Sequence, residues 1–347
     1  MATMLGKSIL AGRLSRDFVL SVVSFLSARV FPTISIPDQD LTGKTAVVTG
    51  ANSGIGYSLA LSLANRNATV YLACRSAVKA KSAAESIIDV SGSKNVHVLQ
   101  LDVSLLSSVR QFVVHWVETQ GRESKIDIFI HNAGIPSPPA DSDTTTEGLN
   151  AIYATNFLGS FLLTSLLEPH LAPGARVVLT SSIASYLATF STRQQLAPSR
   201  DWLKKNHPAP SMLYAYTKLD QIAFARLLQA RFDMSRSPGQ ARRTAHAFSP
   251  GYSATTLFDR IPSTAWYLDI WFWFIKLSTK LATPIEQGAA TGLWLATTDD
   301  PAVIGQGGGG GYWERLTLRT TTVDWRGGKS MQRLWDAWCR DSGASWQ

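Results

Sequence analysis

The feature that most constrains this chain is the passage KTAVVTGANSGIG at residues 44–56, where an apolar run enters a glycine-rich turn and leaves as the helical pattern IGYSLALSLANRN. Read along the chain, that is strand, tight turn, helix. Gly50, Gly54 and Gly56 let the backbone pass close to a pyrophosphate, and free N–H groups at the helix start would face such an anion. Their spacing, GxxxGxG, departs from the GxGxxG of the common dinucleotide fingerprint. Strand and helix patterns keep alternating downstream, which argues for an α/β doubly wound parallel sheet, a Rossmann fold. With 347 residues and 45% hydrophobic content the chain can bury one large core, and one catalytic domain is expected.

The second strand, ATVYLACRS, ends at Cys74 and Arg75, where an NAD-binding fold usually offers a carboxylate to the adenosine ribose. An arginine there suits a 2′-phosphate, which favours NADP(H) over NAD(H). The third strand, NVHVLQLDVS, ends at Asp102, either a ligand of the adenine amino group or a cap for the following helix. Far downstream, Tyr214 and Lys218 bound the run YAYTK. A spacing of four puts both on one helix face, where the ammonium would favour the phenolate and lower the tyrosine's pKa toward that of a working acid–base catalyst.

With these motifs in order, the chain resembles the short-chain dehydrogenase/reductase family from about residue 42 to about 314. TGANSGIG is similar to the family's TGxxxGIG turn, HNAG at 131–134 to its NNAG motif, and SPGY at 249–252 with Thr255 to its PGxxxT segment. Asn156, Ser182, Tyr214 and Lys218 fall on its catalytic positions. Ser181 and Ser182 are neighbours on a strand and face opposite ways, and the family pattern selects Ser182. The resemblance implies a cofactor site of Gly50, Asn52, Ser53, Gly54, Ile55, Gly56, Arg75, Asp102, Val103, Asn132, Ala133, Gly134, Tyr214, Lys218, Pro250, Gly251, Ser253 and Thr255. Its implied chemistry is carbonyl–alcohol interconversion. Tyr214 would be the acid–base group, Ser182 would hold the substrate oxygen, and Asn156 would fix a water linking Lys218 to solvent. YLACRS, LDVSLLSSVRQF, NFLGSFLLT and YAYTKLDQIAFARLL resemble the retinol dehydrogenase and WW-domain oxidoreductase-like branch, but the insertion RQQLAPSRDWLKKNHPAP matches no particular member. A cofactor-binding sensor or membrane-associated scaffold of weak activity is the alternative.

Residues 1–36 form an extension before the catalytic unit at 37–347, with Lys7, Arg13, Arg16 and Arg29 against one acid, Asp17. Its apolar run FVLSVVSFL is too short to span a bilayer and reads as an interfacial anchor, a mitochondrial presequence, or a helix packed on the domain. The segment TAWYLDIWFWFIKLSTKL lies in a substrate lid expected at about 253–283, and its aromatic density points to a lipophilic small-molecule substrate such as a retinoid, steroid or secondary-metabolite ketone. These two segments suggest peripheral membrane association at the endoplasmic reticulum or a cytoplasmic face, with mitochondrial or cytosolic placement as alternatives. The net charge of +8 gathers between Arg193 and Arg243, a band without a nucleic-acid module, so no nucleic-acid partner is expected. The six histidines show no ligand spacing, so no metal is expected, and Cys74 and Cys339 give no disulfide framework. A homodimer is expected from the resemblance.

Overall fold

The computed structural model describes residues 2–26, 32–191, 199–251 and 282–346. A leading helix, α1 (Ala2–Leu26), precedes the alternation β1 (Thr45–Thr49), α2 (Gly54–Ala64), β2 (Thr69–Cys74), α3 (Ala77–Ser91), β3 (Val96–Gln100), α4 (Leu106–Gln120) and β4 (Ile126–His131). Next come a helix in three pieces, α5 (Ala151–Tyr153), a π-turn (Ala154–Leu158) and α6 (Gly159–Leu167), then β5 (Leu171–Thr180), α7 (Ser185–Ser191), α8 (Arg200–Asn206), α9 (Pro210–Ser235) and β6 (Thr244–Ser249). The C-terminal part holds α10 (Ile285–Thr297), α11 (Pro301–Ile304), β7 (Tyr312–Glu314), β8 (Thr317–Arg319) and α12 (Gly328–Ser342).

Among the described residues the strands form a single sheet in the order β3-β2-β1-β4-β5-β6-β7-β8, parallel except for β8, which returns antiparallel beside β7. The doubly wound α/β expectation therefore holds. Strands covered on both faces read as unbroken apolar runs, and β1 and β6 are buried along almost their whole length. One core layer packs α2, α3 and α10 through Leu59, Leu63, Ile87 and Leu293. The other packs α4, α6 and α9 through Phe112, Phe161 and Phe224. Trp335 and Trp338 of α12 and the terminal Trp346 close over Phe161 and Phe224, with ring centroids 5.2–6.4 Å apart. The final helix is thereby packed on the domain through its tryptophans.

Local chemistry accounts for several element ends. Ser76 accepts the Lys79 amide to begin α3, and Gly92, at φ 71°, ends it in the left-handed region that glycine tolerates. Helix α4 is capped from a distance: both oxygens of Glu147 accept amides of its first turn, from Leu106 and Ser107. Asp102 is therefore not that helix's cap. Its carboxylate accepts the amide and hydroxyl of Ser104 instead.

Helix α1 lies against the β7–β8 end of the sheet with an unusual orientation. Its inward face carries polar groups beside Leu14 and Phe18: Asp17 and Ser21 are buried, Asp17 accepts the Thr320 amide at 2.9 Å, and Ser21 donates to the buried Glu314. Burial alone would raise the Asp17 carboxyl, but the Thr320 amide and Arg16 outweigh it and hold the group below the usual carboxylate range. Ile9, Val19, Leu20 and Val23 face outward, each more than 40% exposed. No helix among the described residues is long and apolar enough to cross a membrane.

Candidate active site

A cleft of about 760 Å3 opens at the C-terminal ends of the parallel strands, the customary ligand position of an open α/β sheet. The glycine turn forms one wall. Gly50 has φ 65°, and a methyl there would come 2.9 Å from the Ala133 Cα, so this position needs glycine for both conformation and space. The first turn of α2, Gly54 and Ile55, lines the cleft, and Ser53 before it makes no side-chain capping bond. The residues after β4 are tied to this turn. The Asn132 and Ala133 amides donate to Thr49 Oγ1, and Asn132 Nδ2 donates to the Thr49 and Gly50 carbonyls.

Most residues expected at the cofactor site reach this cleft: Gly50, Asn52, Ser53, Gly54, Ile55, Arg75, Asp102, Val103, Asn132, Ala133, Gly134, Tyr214, Lys218, Pro250 and Gly251. Gly56 does not. It is a packing position, where a methyl would lie 2.4 Å from Asn132 Nδ2 and 2.5 Å from the Gly50 carbonyl oxygen. Ser253 and Thr255 lie outside the described residues, as do nearly all of the expected lid and the aromatic run within it. At the adenosine end, Arg75 and Lys79 are both exposed on the rim and have no carboxylate partner among the described residues. Sequence reasoning passed over Lys79 and the loop PSPPADSDTTT at 136–146, most of which lines the opposite rim. The signal was available, because that loop directly follows HNAG and is too rich in Pro and Ser to be a helix.

At the inner end of the cleft, the Ser182 side chain stands beside the Tyr214 phenol and favours its ionised form. Lys218 Nζ stands 5.5 Å from the centre of the Tyr214 ring and donates to the Thr180 carbonyl at 2.8 Å. Ser181 points the other way, donating to the Lys218 carbonyl at 2.7 Å, and Tyr216 is buried against Trp202. The strand and helix periodicities that separate each pair of neighbours produce this sorting. A methyl on Gly134 would lie 3.3 Å from Asn156 Oδ1 and 3.5 Å from Lys218 Nζ, so the two side chains converge at that glycine.

One detail differs from the sequence expectation, and one adds to it. Burial pushes the Tyr214 phenol up to about 12, against which the Ser182 side chain works, while burial brings the Lys218 ammonium down to about 8. Desolvation outweighs the help expected from the amine. Asn156 is fully buried in the π-turn and committed to its neighbours: Oδ1 accepts the Ile135 amide at 2.7 Å, and Nδ2 donates to the Ile135 carbonyl and Thr217. Its own carbonyl accepts from Gln221. Here Asn156 clamps the loop after β4.

A cradle of close-packed glycines beneath a cleft holding a tyrosine, a lysine and a serine is the arrangement of a nucleotide-dependent oxidoreductase. Residues 44–193 match the short chain dehydrogenase family model. Human dehydrogenase/reductase SDR family member 13 is 33% identical over 305 residues, covering 86% of this chain and 73% of that protein. Mouse retinol dehydrogenase 12 is 31% identical over 330 residues, 94% of each. Among solved structures, an uncharacterized protein from Mycobacterium paratuberculosis superposes with a TM-score of 0.64 at 28% identity, covering 89% of this chain and 97% of that one. A short chain dehydrogenase from Shigella flexneri in complex with NADP gives 0.58 at 19%, covering 81% and 100%, a likeness of fold. The chain belongs to the short-chain dehydrogenase/reductase family of oxidoreductases.

Proposed function

We propose that the protein is an NADP(H)-dependent oxidoreductase that interconverts a carbonyl and an alcohol on a lipophilic small molecule. The observation that carries this reading is the convergence of Ser182, Tyr214 and Lys218 at the inner end of a glycine-floored cleft. The cleft suits the cofactor, since the glycine turn lines its wall and two cations without carboxylate partners among the described residues stand at the rim where a 2′-phosphate would sit. When bound, the nicotinamide supplies or takes the hydride. Tyr214 gives its proton to the carbonyl oxygen in reduction and takes it back in oxidation. A phenol held near 12 keeps its proton at neutral pH and so has one to give in reduction, while the oxidising direction needs the Lys218 charge to bring that value down. Ser182 donates to the same substrate oxygen as charge builds there. Asn156 positions the Ile135 backbone.

The lipophilic substrate rests on two supports: relatives named for retinol, and the aromatic run at 264–281. Membrane association through α1 rests on its outward apolar residues. The test is the decay of NADPH absorbance with a panel of hydrophobic ketones and aldehydes, wild type against Tyr214→Phe. Turnover lost in the variant supports the reading, and equal rates overturn it. Fractionation of cells expressing the full chain or a form lacking residues 1–36 tests the membrane attachment, which identical soluble distributions would remove.

A further inference from the structure

Between α1 and the β7–β8 end of the sheet lies a second cavity of about 490 Å3, away from the cleft and within the range of small-ligand sites. Four guanidiniums line it: Arg13 and Arg16 from α1, Arg226 from α9 and Arg319 from β8. The glycine run 307–311 forms part of its wall, and Gly307 and Gly309 have φ of 94° and 89° while Gly308 between them does not enter that region. The amides of Gly308 and Gly310 already donate to the Gly305 and Ala245 carbonyls, so the run shapes the wall and leaves the arginines as the donors.

The charges do not balance. Arg16 pairs with Asp17 at 2.8 Å, Arg226 pairs with Asp324, and Arg319 stands 3.4 Å from Glu314. Arg13 has no carboxylate partner among the described residues. Arg319 is nine-tenths buried, and its Nε, the atom nearest Glu314, is not aligned to hydrogen-bond that carboxylate or any other acceptor among the described residues. Like charges gathered in a partly closed space repel, and a buried donor without an acceptor is costly, so both defects call for an added anion.

We infer that this cavity is a second binding site, for a phosphate-bearing anion held by Arg13 and Arg319 against the wall formed by residues 307–311. A tetrahedral phosphate presents oxygens in several directions and can take two guanidiniums at once, which suits donors arriving from a helix and a strand. Leu10, Ile222 and Leu318 leave an apolar wall for the rest of the molecule. The phosphate could come from a lipid headgroup or from a free phosphate ester. The site is independent of the cleft and of the reaction proposed there.

The experiment uses the full chain with NADPH in excess, so that phosphate does not occupy the cleft. Inorganic phosphate is titrated by calorimetry, and flotation is measured with phosphatidylcholine vesicles with and without phosphatidic acid. Arg13→Gln and Arg319→Gln are compared with wild type and with Lys205→Gln, which removes an exposed charge elsewhere. Loss of a charge-assisted contact predicts at least about tenfold weaker binding in the two cavity variants and wild-type binding in Lys205→Gln. Phosphate binding that depends on these arginines, without arginine-dependent flotation, assigns a free phosphate ester. Arginine-dependent flotation on phosphatidic acid vesicles assigns a lipid headgroup. Unchanged binding in the cavity variants, equal loss in Lys205→Gln, or no binding of either probe overturns the site. If Arg319→Gln fails to fold, Arg13→Gln decides alone, because Arg13 has no carboxylate partner among the described residues to strand.

Discussion

Replacing Gly56 by alanine separates a packing role from a cofactor-contacting one. The new methyl would lie 2.4 Å from Asn132 Nδ2 and 2.5 Å from the Gly50 carbonyl, closer than real contacts allow. The carbonyl is backbone in a turn that is itself hemmed in by Ala133, so the strain cannot be relieved by rotating a side chain. Asn132 would have to withdraw, giving up its bonds to the Thr49 and Gly50 carbonyls, at about 1 kcal/mol each. Overpacking adds about 1–3 kcal/mol. Removing a glycine from a helix returns about 0.5–1 kcal/mol. The net expectation is a loss of about 2–4 kcal/mol of stability. Guanidinium denaturation of wild type, Gly56→Ala and a control, Gly328→Ala, reads it directly. A methyl at Gly328 meets nothing within 4 Å at the start of α12, and that variant should match or slightly exceed wild type. NADPH affinity should fall with Gly56→Ala because the turn that lines the cleft is displaced. A Gly56→Ala midpoint equal to wild type would refute the close-approach reasoning.

Lys218→Met should abolish turnover yet raise stability at neutral pH, because the folded state holds the ammonium at about 8 while the unfolded chain keeps it near 10.5. The unfolded state binds more protons between those values, so wild-type stability recovers as pH rises through that window, and denaturation midpoints of the variant should lack the rise. Burial holds His131 at about 3 and His246 at about 4, so from pH 6.5 downward the unfolded imidazoles take protons the folded state refuses and stability falls with pH. Substituting both by glutamine should flatten that acid limb in a series of urea melts. Trp338→Ala removes a fully buried ring 4.6 Å from Phe157 and should cost about 3–5 kcal/mol by chemical denaturation, with the cleft residues untouched.

Much of the fold was legible because its signals are local. The turn at 49–56, the apolar strands and the four-residue spacing of Tyr214 and Lys218 each depend on neighbours in sequence, and each is where the pattern placed it. The inward and outward sorting of Ser181 and Ser182 also follows from strand period alone. What escaped is decided by distant partners. Glu147 caps a helix about forty residues before it, which left Asp102 looking like the cap. The direction of the Tyr214 shift depends on how much water reaches the phenol, and that is set by elements far along the chain. Nor did composition indicate that α1 would bury Asp17 and Ser21 and leave valines outside, since the partners Glu314 and Thr320 lie some three hundred residues on.

The last strand of the sheet is only three residues long and runs against its neighbour. Such a margin offers too few backbone groups for a second chain to extend it, and the helix seated on the Thr320 amide blocks further growth beside it. Two copies that merged their sheets into one would have to join at the opposite margin, along Val96–Gln100.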